Sequence, residues 1–443
     1  MSALIRFFEL EARGTTVARE VRGGIATFLT MAYILVANPG ILAAAGVPFE
    51  SAVAATAAAS AIVCLAMGLI ANAPIALAPG MGLNAMVAYQ IAAATGSWQG
   101  AMALVVVDGL VVLALVLIGL REAVMEIIPV DLRRGIGAGI GLFIAFIGAV
   151  NARLVIVPPA TASTVAATPG AVMPPVTFGS LQQPDALLAL AGLLVIAVLL
   201  VRQRTGAIVI GIATATVLAL ATGLAAPPEG AWAVWPRFDT AFQADFRSLW
   251  IPAALPLLLS LVMVDFFDTM GSATAIAEAA GLQDERGRMP RLRRVLAIDA
   301  AGASIGGLAG ASSVTAYIES AAGVAEGART GLHTVVVGLL FAASMFLAPL
   351  AAVVPPAATA PALIAVGFLM AQPITRIDLR ALDTALPAFL VLLMIPLTWS
   401  IAHGIGYGFI TFAVIRVLSG RARDVHPLMY GVATAFALYF FIE

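Results

Sequence analysis

From Ile25 onward the chain is a succession of apolar runs, each roughly 18 to 25 residues long, the length a helix needs to cross about 30 Å of hydrocarbon. Inside lipid every backbone N–H and C=O must find a partner within the protein, so such runs fold as bundled helices. Charge content agrees. Only 11% of the 443 residues are charged and 62% are hydrophobic, with a mean hydropathy of +1.05, whereas soluble domains carry about 25% charged residues. The chain reads as an all-α polytopic membrane protein. Its runs fall at 25–45, 51–72, 77–94, 99–120, 132–150, 184–201, 206–224, 251–280, 294–308, 310–326, 331–350, 353–372, 382–399 and 402–419, which makes 14 transmembrane segments. A further stretch, 427–442, is short and lies at the interface or partly inserts.

Arginine carries all 23 positive charges, because there is no lysine. With a cytoplasmic N-terminus, every arginine except Arg153, Arg237 and Arg247 falls on an inner segment. Cytoplasmic loops favour Lys and Arg, so both termini are expected in the cytoplasm of a plasma (inner) membrane protein. The outer segments 151–183 and 225–250, rich in Pro, Thr, Ala and Gly, read as extended loops. The opening stretch MSALIRFFELEARGTTVAREVR has no apolar centre and reads as a cytoplasmic leader, an amphipathic helix lying on the membrane rather than a signal peptide. The single Cys64 sits in an apolar run, so no disulfide framework exists and a core role is expected.

Fourteen is twice seven, and the two halves share features. ILAAAG (41–46) matches IAEAAG (276–281), and APGMGLNAMVAYQ (78–90) matches AGASSVTAYIES (309–320) in being Gly/Ala-rich and polar-spiked. Seven is odd, so the halves insert in opposite orientations, as a 7+7 inverted repeat. Paired short, interrupted hydrophobic segments in such repeats point to a transporter's midplane site. Pro74 and Pro79 bound PIALAP, which resists being helix. An extended stretch followed by a half-helix from near Gly80 is expected, with GGLAGASS (306–313) in the equivalent place. The half-helix N-termini would aim N–H groups at the centre. Close helix packing is the plainer reason for many of the 41 glycines.

Few ionisable residues lie inside the runs. Asp265 and Asp268 share one helix face in the eighth segment, and Glu319 lies in the tenth. Intramembrane ionisable groups are costly and mark substrate or proton paths by default. Asp265, Asp268 and Glu319 are therefore candidates for substrate binding and proton coupling, Asp268 alternatively bracing the site by hydrogen bonds. Asp108 and Asp299 read as structural partners and Glu278 as a solvated end residue. Asn84 offers donor and acceptor together, suited to a heterocycle edge, or it caps the broken helix. Phe266 and Tyr317 can stack on a flat ring or serve packing. No Cys/His cluster has metal spacing and no Walker-type loop is present, so no metal, no cofactor and no direct ATP use are expected, and an enzyme is not indicated.

GGIATFLTMAYILVANPGIL (23–42), APGMGLNAMVAY (78–89), VDFFDTMGS (264–272), ASSVTAYIESAAGVAEGARTGL (311–332) and PLTWSIAHGIGYGFI (396–410) closely resemble the AzgA-like purine permeases. These belong to the nucleobase–cation symporter group, related to uracil and xanthine permeases. The resemblance implies a core domain (25–120 and 251–350) and a gate domain (121–224 and 351–420), with a segment 1–24, a loop 225–250 and a tail 421–443 outside them. It implies elevator-type uptake of hypoxanthine, guanine or adenine with H+ (or Na+), and a homodimer through the gate. It places Asn84, Asp265, Asp268 and Glu319 at the site, with Thr30 and Tyr33 near it. Uracil or xanthine transport, and anion transport by the same architecture, are the rival readings. Nothing suggests nucleic acid as a partner.

Overall fold

The two prolines of PIALAP act as their ring geometry dictates, and the backbone there is extended rather than helical. The computed structural model describes residues 2–119, 128–156, 176–227, 231–282 and 289–442, without the side chains of 2–3, 267–268, 270–271, 274–275, 278–279, 439 and 442. Four short strands occur among these residues: β1 (Leu77–Pro79), β2 (Val155–Ile156), β3 (Thr177–Phe178) and β4 (Val314–Ala316). β2 and β3 pair at the edges of the 151–183 loop, most of which lies outside the described residues, as does the expected gate start at 121. β1 and β4 pair antiparallel at the centre, with Leu77 opposite Ala316, Ala78 opposite Thr315 and Pro79 opposite Val314. A two-stranded ribbon accommodates a terminal proline because only one side of each strand is laddered.

The remaining described chain is largely helical. Eight helices are long and apolar enough to cross a membrane, and four shorter apolar helices accompany them, among the described residues. The first run starts earlier than expected, at Val17, where the Thr16 side chain accepts the Arg19 N–H. It is broken at Ala32 and Tyr33, then continues as Ile34–Ala43. The likeness of ILAAAG and IAEAAG is also geometric. Gly46 and Gly281 both adopt positive φ, and the next residue bonds back five positions in each case, Val47 N–H to Leu42 and Leu282 N–H to Ala277. Each is a Schellman stop, for which glycine is the cheapest residue.

One expectation needs correction. GGLAGASS does not open a half-helix. Gly306 to Ala309 still belong to the Leu292–Ala309 helix, which ends at left-handed Gly310. The break, strand and short helix follow as residues 310–313, β4 and Ser320–Ala325. Glycine tolerates the helix interior here because it lets backbones meet: a Cβ on Gly307 would lie 2.9 Å from the Val106 N of Trp98–Leu117. Likewise a Cβ on Gly141 would lie 2.6 Å from the Gly367 O, where Val130–Asn151 crosses Pro356–Ala371. Small residues at such crossings are how helices associate without a hydrophobic driving force.

The polar loop contacts sort into two sets. Ser51 bonds Asp239, the Asp245 N–H bonds Gln99 O, and Arg153 lies 3.6 Å from Asp185. In the other set Arg13 donates to the carbonyls of Asn72 and Arg329, Arg291 pairs with Glu9, Arg134 with Asp131, and Arg416 and Arg421 with Asp383. Apart from Arg134–Asp131, three residues apart in one helix, and Arg153–Asp185, at the two ends of one loop, each contact joins segments that the arginine pattern assigns to one side. The leader docks on the protein: Phe8 and Leu10 are buried against Leu332, so they do not lie in a lipid-facing amphipathic stripe. Burying them in protein is worth more than half-burying them at an interface.

Arg13 donates to Glu9 and, with Arg291, holds its carboxyl below the ordinary range. A depressed folded value means the contribution is present above the unfolded value of 4.5 and is lost as pH falls below it. The protection factors of the amides at residues 8–16, taken against the intrinsic exchange rate at each pH, are expected to fall on acidification through that window, and Glu9→Gln to show the lower protection already at neutral pH. Equal exchange in wild type and variant at neutral pH would dismiss the contact as a tether.

Candidate functional site

Each central strand leads into a short helix. Gly80 caps Met81–Met86, which runs on through a π turn, Val87–Ile91, to left-handed Gly96. After β4 a turn at 317–319 opens Ser320–Ala325. The ribbon is closed beyond its strands by Gly80 N–H to Ser313 O and Tyr317 N–H to Ala76 O, both 2.9 Å. The Ala254–Ala279 helix packs against β4, Met81–Met86 and Ser320–Ala325. The Asp265 helix therefore meets both the element bearing Asn84 and the one that follows Glu319.

Asp265 is fully buried in that helix. One turn on, the Thr269 hydroxyl donates to Asp299 Oδ2 at 2.7 Å and shares a hydrogen bond with Thr315 Oγ1 at 2.8 Å. Asp299 Oδ1 accepts the Ala316 N–H at 3.1 Å. Positions 265 and 269 share a helix face, so this cluster turns the Asp265 face toward β4. Asp299 takes the structural part expected of it, joining the ninth segment to the eighth and to the ribbon. Phe266 is buried beside Asp265. The side chains of Asp268 and Glu278 lie outside the described residues.

Glu319 accepts a hydrogen bond from the Tyr33 hydroxyl, 3.1 Å from its Oε1. The Tyr317 hydroxyl donates to the Pro79 carbonyl at 2.5 Å, and the Thr30 hydroxyl to the Thr27 carbonyl at 2.8 Å. Both hydroxyls are thus engaged by backbone. Asn84 is fully buried, and neither atom of its amide has a hydrogen-bond partner among the described residues. Such a group forfeits about 1 to 3 kcal/mol until something satisfies it. The alternative reading of Asn84 as a cap is not what the structure holds: Gly80 occupies that position and makes no side-chain bond.

Other polar residues brace these elements. Thr27 Oγ1 shares a 2.8 Å hydrogen bond with His333 Nε2 and accepts the Gly323 N–H at 3.1 Å, pinning Ser320–Ala325 to the first helix. Glu20 accepts the N–H groups of Arg329, Thr330 and His333 at the start of Gly331–Ser344. There the unpaired N–H groups and the helix dipole both favour a carboxylate. Asn72, in a left-handed conformation that asparagine tolerates, accepts the Gly331 N–H. Sequence reasoning passed over Glu20 and Asn72 as leader and loop. A carboxylate eight residues before the broken FLTMAYI run was the available signal.

A helical membrane bundle whose centre is two broken segments, joined as a ribbon and flanked by buried carboxyl and amide groups, defines the class of membrane transporters. The permease family Xan_ur_permease matches residues 18–407, and the chain belongs to it. The guanine/hypoxanthine permease PbuG of Bacillus subtilis is 40% identical, over 98% of this chain and 98% of its own length. The adenine permease AdeP of Escherichia coli is 38% identical, over 98% and 95%. The resemblance to AzgA-like purine permeases read from the motifs is thereby borne out. Among solved structures, the transmembrane domain of the cyanobacterial bicarbonate transporter BicA superposes with a TM-score of 0.62 at 16% identity, over 88% of this chain and 96% of that one. This likeness is one of fold.

Proposed function

We propose that the chain imports purine nucleobases, such as hypoxanthine, guanine and adenine, together with protons. The observation that carries this is Asn84, a buried amide with both atoms unsatisfied on a half-helix that packs against the Asp265 helix. A neutral purine has apolar faces and a hydrogen-bonding edge, and a dry site must match that edge. Asn84 supplies one donor and one acceptor to it. Asp265 and Glu319 accept its ring and exocyclic N–H groups, and Phe266 and Tyr317 flank its faces. A proton taken up at Asp265, Asp268 or Glu319 removes one negative charge from the site as the neutral purine fills it, so that the loaded site crosses the membrane more readily than the empty one. The names of the relatives, guanine/hypoxanthine and adenine permeases, support the substrate class.

In this proposal the fourteen segments form an inverted repeat, and the core (25–120 and 251–350) slides as an elevator against the gate (121–224 and 351–420). The gate also joins two copies, and both termini face the cytoplasm of the plasma membrane. An anion cargo is disfavoured because carboxylates, not arginines, occupy the centre. Labelled hypoxanthine uptake in cells expressing the chain is expected to collapse with a protonophore and to be competed by purines but not by uracil. Uptake that survives loss of the proton gradient rejects proton coupling; competition by uracil alone rejects the purine assignment.

A further inference from the structure

Glu319 ends a flexible side chain in a turn between a strand and a six-residue helix. Its own backbone N–H gives the carboxylate one local anchor, which leaves a second, side-chain donor to fix its orientation. Two hydroxyls near it in sequence or segment are already used, Tyr317 on Pro79 and Thr30 on Thr27. The hydroxyl that reaches it comes from the first run, 286 positions away. Tyr33 is itself well placed to be a fixed point. It is 2% exposed, it stands where the first run breaks, and its carbonyl accepts the Val36 and Ala37 N–H groups that restart the helix. Its side chain also borders an apolar crevice of about 380 Å³, shared with Val36, Ile212 and Val354. Among the described residues of that wall, the Thr216 and Ser344 hydroxyls bond their own helix carbonyls, and on the other side the Tyr317 hydroxyl also lies within reach of Tyr33.

We propose that Tyr33 is a positioning residue: by donating to one oxygen of Glu319 it selects the rotamer in which the carboxylate accepts the nucleobase N–H. This rests on the purine reading above. A carboxylate has about four acceptor sites, so one donated bond orients it without using it up. Tyrosine suits the task because it reaches far with only two side-chain torsions, and so loses little entropy when it is held.

The test is hypoxanthine titration of the purified full-length chain as wild type, Tyr33→Phe, Glu319→Asp and the double variant. Tyr33→Phe keeps the ring that walls the crevice and removes only the hydroxyl. Its Kd is expected to rise about tenfold or more, the usual cost of a hydrogen bond to a charged group, while the melting temperature without ligand stays that of wild type. Glu319→Asp draws the carboxylate back from Tyr33, so adding Tyr33→Phe to it should weaken binding no further. A Tyr33→Phe Kd within about twofold of wild type, or losses that multiply in the double variant, overturns the positioning role and leaves the purine reading standing. A wild-type chain that binds no nucleobase overturns both.

Discussion

Asp265→Asn and Glu319→Gln are each expected to cut purine uptake about a hundredfold, with the protein still reaching the membrane in normal amount. Both changes preserve shape and volume. What they replace is an acceptor oxygen by an NH2 donor, set against a ligand edge that also donates. Losing a charge-assisted hydrogen bond costs about 1.5 to 3 kcal/mol, and the donor–donor contact adds to it, which together reach two powers of ten. The amide also cannot take up the coupling proton. Asp299→Asn is the informative contrast. Asp299 is occupied by Thr269 and the Ala316 N–H, so its loss should first lower thermal stability, by loosening the ribbon. Tagged protein in membranes, a melting curve and initial uptake rates separate the two behaviours. Uptake by both site variants within twofold of wild type would remove Asp265 and Glu319 from the site.

The fold was legible wherever hydrophobicity and backbone chemistry act locally. Apolar length located several helices to within a few residues, as with Pro184–Val201 and Ile401–Leu418. Proline located the extended stretch before Gly80. GGLAGASS misled because glycine has two uses that look alike in sequence. Gly307 lets helices touch, while Gly310 turns the chain with φ +81°. Only the partner backbones, far away in sequence, tell these apart. The carboxylates of the proposed site stood out for the opposite reason: a charge in an apolar run, as at Asp265 and Glu319, has no local justification. Tyr33, Glu20 and His333 did not, since tyrosine is ordinary in an apolar run and the other two sit near run ends. Their roles come from contacts across about 300 positions, such as Glu20 with His333 and Thr27 with His333. No periodicity records such contacts.

Gly323→Ala tests whether those remote contacts hold the site. The new Cβ would lie 2.6 Å from the Gly23 carbonyl and closer still to His333 Nε2 and Thr27 Oγ1. Side chains can rotate away, but the Gly23 carbonyl belongs to the backbone of Val17–Met31, which is fixed further on by Thr27 and Tyr33. The short helix must therefore move, and Glu319, just ahead of its first residue, moves with it, away from Tyr33. Overpacking of this kind costs about 1 to 3 kcal/mol, and it falls on the segment that carries a site carboxylate. Melting temperature and uptake should both drop, uptake by about tenfold or more, because a displacement near 1 Å suffices to spoil a hydrogen-bonded geometry. Gly137→Ala is the matched control. It lies in Val130–Asn151, nothing is within 4 Å of its added Cβ, and alanine favours helix over glycine by about 1 kcal/mol, so it should be neutral or slightly stabilising. If Gly323→Ala behaved like Gly137→Ala, the close approach of the first helix to Ser320–Ala325 would not be what places Glu319.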